Sequence, residues 1–130
     1  MQAETITTVI NRQRDDVFAY LNDINNVTEW AFNFAKELKV INGSHKVVTP
    51  AGELFLRYDS HPDLGLIDMW GGPAEDQMTP LPVRVLPLAN GSSAVTITLT
   101  QTPDVDDAVF KKQVASLNEE SAGLKTRLEK

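Results

Sequence analysis

Residues 104–130, DVDDAVFKKQVASLNEESAGLKTRLEK, decide the fold of this chain. At helical spacing its apolar side chains fall on one face: Phe110, Val114, Leu117, Leu124 and Leu128. Ser121 fills the one gap in this stripe with a small side chain. Asp104 is the expected N-cap, and Lys125 and Arg127 complement the helix dipole at the other end. The stretch therefore predicts a long amphipathic C-terminal helix with one buried face.

The chain before this helix is mostly strands, since short runs rich in β-branched and aromatic residues alternate with turn residues. The expected strands are residues 4–10, 38–41, 46–49, 53–60, 65–71, 81–88 and 94–102. Two short helices follow the first strand, one over residues 13–22 and one with a capping box formed by Asn26 and Glu29. Trp30 and Phe34 would project from the same side of the second helix. We expect an α+β fold in which a curved antiparallel sheet of about seven strands closes around the C-terminal helix.

Composition and charge exclude several classes of protein. The length of 130 residues suits a single domain, residues 1–130. The content of 42% hydrophobic and 23% charged residues is ordinary for a globular protein. The net charge of −6, without a cluster of Lys and Arg, disfavours nucleic acid and anionic membrane surfaces as partners. No apolar run approaches the roughly 20 residues that span a bilayer. The N-terminus has no secretion signal, so we expect a cytoplasmic protein.

The loop at residues 61–64 joins two strands whose faces follow from alternation. Pairing residue 60 with residue 65 places Leu54, Leu56, Tyr58, Ile67 and Met69 on the inner face. In this register Arg57 and Asp68 form a cross-strand ion pair on the outer face. Phe55 and Trp70 lie beside that pair, and a homodimer through these two aromatic side chains would cover them.

The last hairpin contains Asn90-Gly91, a strong signal for a two-residue turn. That turn pairs Arg84 with Ile97, and the alternation of apolar residues with threonines puts Ile97 on the inner face. Arg84 would then point inward, where an unpaired guanidinium costs several kcal/mol and requires a carboxylate, carbonyls, water or an anionic ligand. A bulge between Arg84 and the turn, favoured by the neighbouring prolines, would instead send Arg84 to solvent.

The order of elements, together with several short segments, resembles the START-like superfamily, also called SRPBCC. The segments are residues 17–23 followed by Trp30, residues 65–68, residues 83–85, and residues 98–103. The resemblance covers the whole chain, implies the helix-grip fold of the birch pollen allergen, and is nearest to polyketide cyclase/dehydrase-like bacterial proteins of unassigned role. This fold hosts cyclases, dehydratases, lipid and hormone binders and chaperone activators. Where many relatives carry His after the aspartate, this chain has Met69.

Three functions fit these residues. The first is a protein that binds a hydrophobic or aromatic molecule between the sheet and the C-terminal helix, with six ligand contacts: Arg84, Tyr58, Trp30, Phe34, Met69 and Leu117. The second is a cyclase or dehydratase in which Arg84 stabilises an oxyanion and Tyr58 is the general acid. The third is a protein-interaction domain that uses the outer face of the sheet. For Arg84, Trp30 and Phe34 a purely structural role stays open beside the ligand contact.

Signatures of metal and cofactor sites are absent. His45 sits in a Gly-Ser turn and His61 precedes Pro62, so both are expected to be solvated. Two distant histidines without any cysteine do not form a zinc site. No Ser-His-Asp order, phosphate loop or dinucleotide fingerprint occurs, so we expect no catalytic triad, metal or cofactor.

Overall fold

The computed structural model describes residues 1–130. Seven strands form one antiparallel sheet in the order β1-β7-β6-β5-β4-β3-β2. The strands are β1 (Ala3–Ile10), β2 (Glu37–Ile41), β3 (Ser44–Thr49), β4 (Gly52–His61), β5 (Leu66–Ala74), β6 (Gln77–Pro87) and β7 (Ser93–Thr100). Helices α1 (Arg14–Asn22) and α2 (Val27–Trp30) follow β1, and α3 (Asp107–Leu128) ends the chain. This confirms the expected α+β helix-grip architecture. None of the helices is both long and apolar enough to span a bilayer.

Helix α3 buries the predicted stripe. Phe110, Leu117, Leu124 and Leu128 are buried together with Ser121, and α3 packs mainly on β1 and α2. Its N-cap is Asp106, whose carboxylate accepts a hydrogen bond from the Val109 backbone N–H at 2.8 Å. The prediction of Asp104 as the N-cap was wrong by two residues.

The second predicted helix is shorter than expected. A 3₁₀ turn (Ile24–Asn26) leads into the single turn of α2, which ends at Trp30. The Asn26 side chain donates to the carbonyl oxygen of Tyr20 at 2.9 Å and makes no capping bond, so the capping box was wrong. Phe34 lies beyond the helix and is 38% exposed, whereas Trp30 is buried. The expected i, i+4 pair of Trp30 and Phe34 therefore does not form.

Strands β4 and β5 pair two residues away from the expected register. Tyr58 lies opposite Met69, because a 3₁₀ turn (Pro62–Leu64) and Gly65 extend the connection. A shift of two residues keeps every side chain on its expected face but changes its partners. Arg57 lies opposite Trp70, with its guanidinium 5.5 Å from the centre of the indole ring. The predicted pair of Arg57 and Asp68 was wrong.

Strands β6 and β7 differ from the prediction by one residue, which exchanges the two faces of β6. The ladder closes at Pro87 opposite Ser93, and a five-residue loop, residues 88–92, replaces the two-residue turn. Within this loop the Leu88 backbone N–H donates to the Ser92 carbonyl oxygen at 2.9 Å. Val83 and Val85 are therefore buried, and Arg84 lies opposite Thr96 on the convex face. The inward orientation predicted for Arg84 was wrong.

The first half of β6 pairs with β5 alone. The Val85 backbone N–H donates to Gly65 on the β5 side at 2.8 Å, so by alternation residue 83 also points its N–H toward β5. Residues 84 and 82 would donate toward β7, but residue 82 is a proline and has no N–H. The β6–β7 ladder accordingly ends at the pair of Val83 and Ile97.

Candidate functional site

The main concavity is an open groove of about 550 Å³ along β4. Leu56, Tyr58 and Ser60 contribute from β4, where alternation points them to one side of the sheet. Asn22 and Ile24 contribute from the end of α1 and the 3₁₀ turn that follows it. The groove thus lies where the insert after β1 meets the middle of the sheet.

Tyr58 is the group in this groove that lacks an internal partner. Its hydroxyl oxygen is buried and makes no hydrogen bond within the protein. Burial raises the pKa of Tyr58 well above its ordinary value, and the negative charge of Asp23 raises it further. The phenol is protonated at neutral pH and can donate a hydrogen bond. A buried hydroxyl without a partner is unfavourable, and a ligand or water in the groove would satisfy it.

The wall beside Tyr58 is held by hydrogen bonds between α1 and β4. The Ser60 hydroxyl bonds to the Asn22 side-chain oxygen and so ties β4 to the last residue of α1. Asp23 follows, and its carboxylate accepts from the backbone N–H and the side-chain amide of Asn25 at 3.0 and 3.1 Å. These contacts hold the exposed Asp23 carboxylate in place next to the lining residue Asn22.

Two turns of the sheet also border the groove. The Ser44 hydroxyl donates to the Glu75 carboxylate at 2.6 Å, which joins the β2–β3 turn to the β5–β6 turn. His45 follows on β3, is half-buried, and lies opposite Leu56 in the groove lining. The prediction of a solvated loop position for His45 was wrong. Asn42 and Gly43 both have positive φ and form the turn before β3. Asn-Gly is a hairpin signal, and a hairpin predicted at Asn42-Gly43 would have placed His45 in a strand.

The structure does not bring the six expected ligand contacts together. Tyr58 lines the groove, whereas Trp30, Met69 and Leu117 are buried in the hydrophobic core. Phe34 is on the surface. Of the six, Tyr58 alone is a groove residue.

Arg84 occupies the opposite side of the sheet from Tyr58. Its guanidinium lies 3.1 Å from the Asp68 carboxylate and donates to the Val83 carbonyl oxygen at 2.9 Å. Arg84 and Tyr58 therefore cannot act on one bound molecule. The hypothesis of an oxyanion contact from Arg84 with acid catalysis by Tyr58 was wrong.

Glu120 is a buried carboxylate on α3 and lies outside the apolar stripe described in the sequence. It is 3% exposed, and it accepts hydrogen bonds from the backbone N–H groups of Asn33 and Phe34 at 3.0 and 3.1 Å. Burial raises the pKa of Glu120, although these two hydrogen bonds act in the opposite direction. The burial of Glu120 could have been predicted from its position three residues after Leu117 and four before Leu124, which places it on the same face of the helix. Glu120 anchors the segment after α2 to α3.

No group of three or more His, Cys, Asp or Glu side chains is arranged to hold a metal ion. The groove lining carries a phenol, an imidazole, a carboxylate, an amide and two hydroxyls, from Tyr58, His45, Glu75, Asn22, Ser44 and Ser60. Such a set can orient a ligand by hydrogen bonds.

No family model and no curated protein matches the chain. Several solved structures do. The protein XoxI from Bacillus cereus superimposes with a TM-score of 0.77 at 14% identity, over 98% of this chain and 96% of that one. The Aha1 dimer from Colwellia psychrerythraea superimposes with a TM-score of 0.75 at 13% identity, over 99% of this chain and 97% of that one. A START superfamily protein from Mycobacterium smegmatis superimposes with a TM-score of 0.61 at 15% identity, over 98% of this chain and 97% of that one. At these identities the likeness concerns architecture alone, and the chain has the START-like helix-grip fold.

Proposed function

We propose that the protein binds a small, mainly apolar molecule in the groove along β4. The observation that carries this proposal is the concavity of about 550 Å³ that Tyr58 lines, together with the buried Tyr58 hydroxyl, which has no partner within the protein. Small-molecule sites typically enclose roughly 300–1,000 Å³ and combine apolar walls with a few polar groups. Tyr58 would supply one such polar group by donating to an oxygen of the ligand.

The apolar part of the ligand would contact Ile24, Leu56 and Met78, which line the groove from three different elements. Burial of a ligand ring against these three side chains is favourable by about 25 cal/mol per Å² of apolar surface. This term supplies affinity, and hydrogen bonds from the rim supply orientation.

The proposal places the ligand away from the space between the sheet and α3. That space is occupied by packed side chains, including Leu117 and Leu124 of α3 and Ile6 and Ile97 of the sheet. A well-packed core leaves no room for a drug-sized molecule without rearrangement. The β4 groove, in contrast, is open in this conformation.

Titration with N-phenyl-1-naphthylamine, an uncharged dye that fluoresces in apolar sites, tests the proposal. We expect saturable binding with one dye per chain, and chemical-shift changes in an NMR titration centred on Ile24 and Tyr58. Ile24→Trp fills the groove and should weaken binding at least tenfold. Val109→Trp adds the same ring at an exposed position on α3 outside the groove and should leave binding unchanged. Equal binding by wild type and Ile24→Trp would place the dye elsewhere and contradict the proposal.

Self-association through the convex face is a second candidate. Phe55 and Trp70 remain half-exposed there, and the indole N–H of Trp70 has no partner. The Lys46 ammonium lies 4.6 Å from the centre of the Phe55 ring and shields part of it. Sedimentation velocity over a wide range of protein concentrations tests this candidate. A dimer that Trp70→Ser dissociates would support it, and a monomer at all concentrations would exclude it.

A further inference from the structure

Resting on the proposed function, we infer that the β4 groove selects uncharged ligands that carry a carbonyl or ether oxygen and rejects the corresponding carboxylates. The inference depends on which charged groups surround the groove, and on which side of the sheet each one lies. An apolar site distinguishes a ketone from a carboxylate of equal size through the charges that face it.

The donor in the groove is neutral. The Tyr58 hydroxyl is protonated at neutral pH, as a phenol with an ordinary pKa of about 10 already is, and burial raises its pKa further. It is therefore a hydrogen-bond donor without charge. A carbonyl oxygen satisfies this hydroxyl without bringing a charge into a partly desolvated site. A carboxylate would also accept the hydrogen bond, but it would lose hydration without gaining a counter-ion.

Two carboxylates bring negative charge to the groove, since Glu75 belongs to its lining and Asp23 lies between the lining residues Asn22 and Ile24. Asp23 acts on the Tyr58 hydroxyl as a negative charge, and its carboxylate is held in place by Asn25. The Glu75 carboxylate accepts a hydrogen bond from Ser44 at 2.6 Å. A ligand carboxylate bonded to Tyr58 would meet these two like charges.

The cations that could offset them are turned to the convex face. Arg57 borders the groove, but its guanidinium stacks over Trp70 at 5.5 Å from the ring centre. Arg84 is paired with Asp68 on that same face. The Lys46 ammonium covers Phe55. His45 is the remaining basic side chain in the lining.

The test compares two probes of nearly equal shape, 2-acetylnaphthalene and 2-naphthoate, by calorimetry at pH 8. We expect the ketone to bind at least tenfold more tightly than the carboxylate. Asp23→Asn should raise the affinity for naphthoate severalfold and leave that for the ketone unchanged. Asp104→Asn, which removes an exposed carboxylate outside the groove, is the matched control and should change neither affinity.

Tyr58→Phe tests the donor separately. The variant should lose roughly twofold to tenfold in affinity for 2-acetylnaphthalene, as expected for one neutral hydrogen bond. It should bind 2-ethylnaphthalene, which has no oxygen, as well as wild type does. An equal loss for both probes would indicate a packing defect and overturn the role of the hydroxyl.

The outcomes separate the inference from the proposed function. If naphthoate binds as tightly as the ketone, and Ile24→Trp weakens both, the groove is a binding site but the selection by charge is wrong. If neither probe binds, or if Ile24→Trp affects neither, the proposed function and this inference both fail.

Discussion

Arg84 and Asp68 form an ion pair on the convex face of the sheet, with 3.1 Å between the guanidinium nitrogen and the carboxylate oxygen. The pair joins β6 to β5 and takes Arg84 away from the concave side. The side chains of Arg84 and Asp68 are 36% and 25% exposed, so water and salt screen their attraction.

We predict that this pair contributes little to stability. A double-mutant cycle with Arg84→Met and Asp68→Asn should give a coupling of roughly 0.2–1 kcal/mol in urea denaturation, which is the range for exposed pairs. The coupling should decrease at high salt. A value above about 2 kcal/mol would indicate a desolvated pair and contradict the exposed position of Arg84.

Glu120 should be a stabilising anchor. Glu120→Ala leaves the N–H groups of Asn33 and Phe34 without their acceptor, and we expect a loss of about 1–3 kcal/mol in the free energy of unfolding. Gln113→Ala, on the exposed side of α3, is the control and should cost less than about 0.5 kcal/mol. Equal losses would mean that the two N–H groups find other partners.

The pH dependence of stability should report the burial of Glu120. Its pKa is raised by burial in the folded protein, so the folded state holds the proton more tightly than the unfolded state does. The stability that this contributes is complete below the unfolded pKa of about 4.3 and is lost as the pH rises through the higher folded pKa. Glu120→Gln removes this titration, so wild type should lose stability relative to the variant over that window. Parallel curves for the two proteins would contradict the prediction.

Gly65 and Gly91 both have positive φ, of 64° and 82°, but differ in their surroundings. A Cβ on Gly65 would collide with the carbonyl oxygen of Val85, whereas nothing lies near a Cβ on Gly91. Gly91→Ala should therefore cost about 1 kcal/mol of backbone strain. Gly65→Ala should cost at least twice as much, because the pairing of β5 with β6 must shift as well. Similar melting temperatures for the two variants would exclude the close approach at Gly65.

Leu117→Ala should destabilise the protein by roughly 2–5 kcal/mol, because the side chain is buried in the core and its removal leaves a cavity. Lys112→Ala on the exposed side of α3 provides the control and should change stability by less than about 0.5 kcal/mol. Urea denaturation of both variants measures the difference. A loss below about 0.5 kcal/mol for Leu117→Ala would mean that α3 does not pack on the sheet through this face.

The elements and their order could be predicted from periodicity, because α3 and the strands each bury one face. The stripe from Phe110 to Leu128 and the alternation in β7 depend only on local spacing. Registers could not be predicted in the same way. Asn90-Gly91 lies inside a five-residue loop, and the single-residue difference moved Arg84 to the other face.

Of the expected site residues, only Tyr58 was correctly predicted to line the candidate site, because the alternation along β4 determines which face of the sheet it lies on. Leu56 and Ser60 share β4 with Tyr58, but most of the other groove residues come from α1, the 3₁₀ turn after it, β3, β6 and two turns of the sheet. Their approach to β4 depends on the curvature of the sheet. The spacing of Glu120 from Leu117 and Leu124 indicates its burial, but its acceptor role could not be predicted, because it depends on N–H groups more than eighty positions earlier in the chain. Local patterns carry no information about such distant partners.

The prolines that end the β6–β7 ladder also affect how the protein behaves toward other copies of itself. An open strand edge with free N–H groups is a template on which a second chain can add a strand, which leads to aggregation. At Pro80 and Pro82 the open edge of β6 has no N–H, and the N–H of Leu81 is directed toward β5. An approaching strand would find acceptors without donors and could not continue the sheet. The gap in the ladder is thus also a protection against fibre formation.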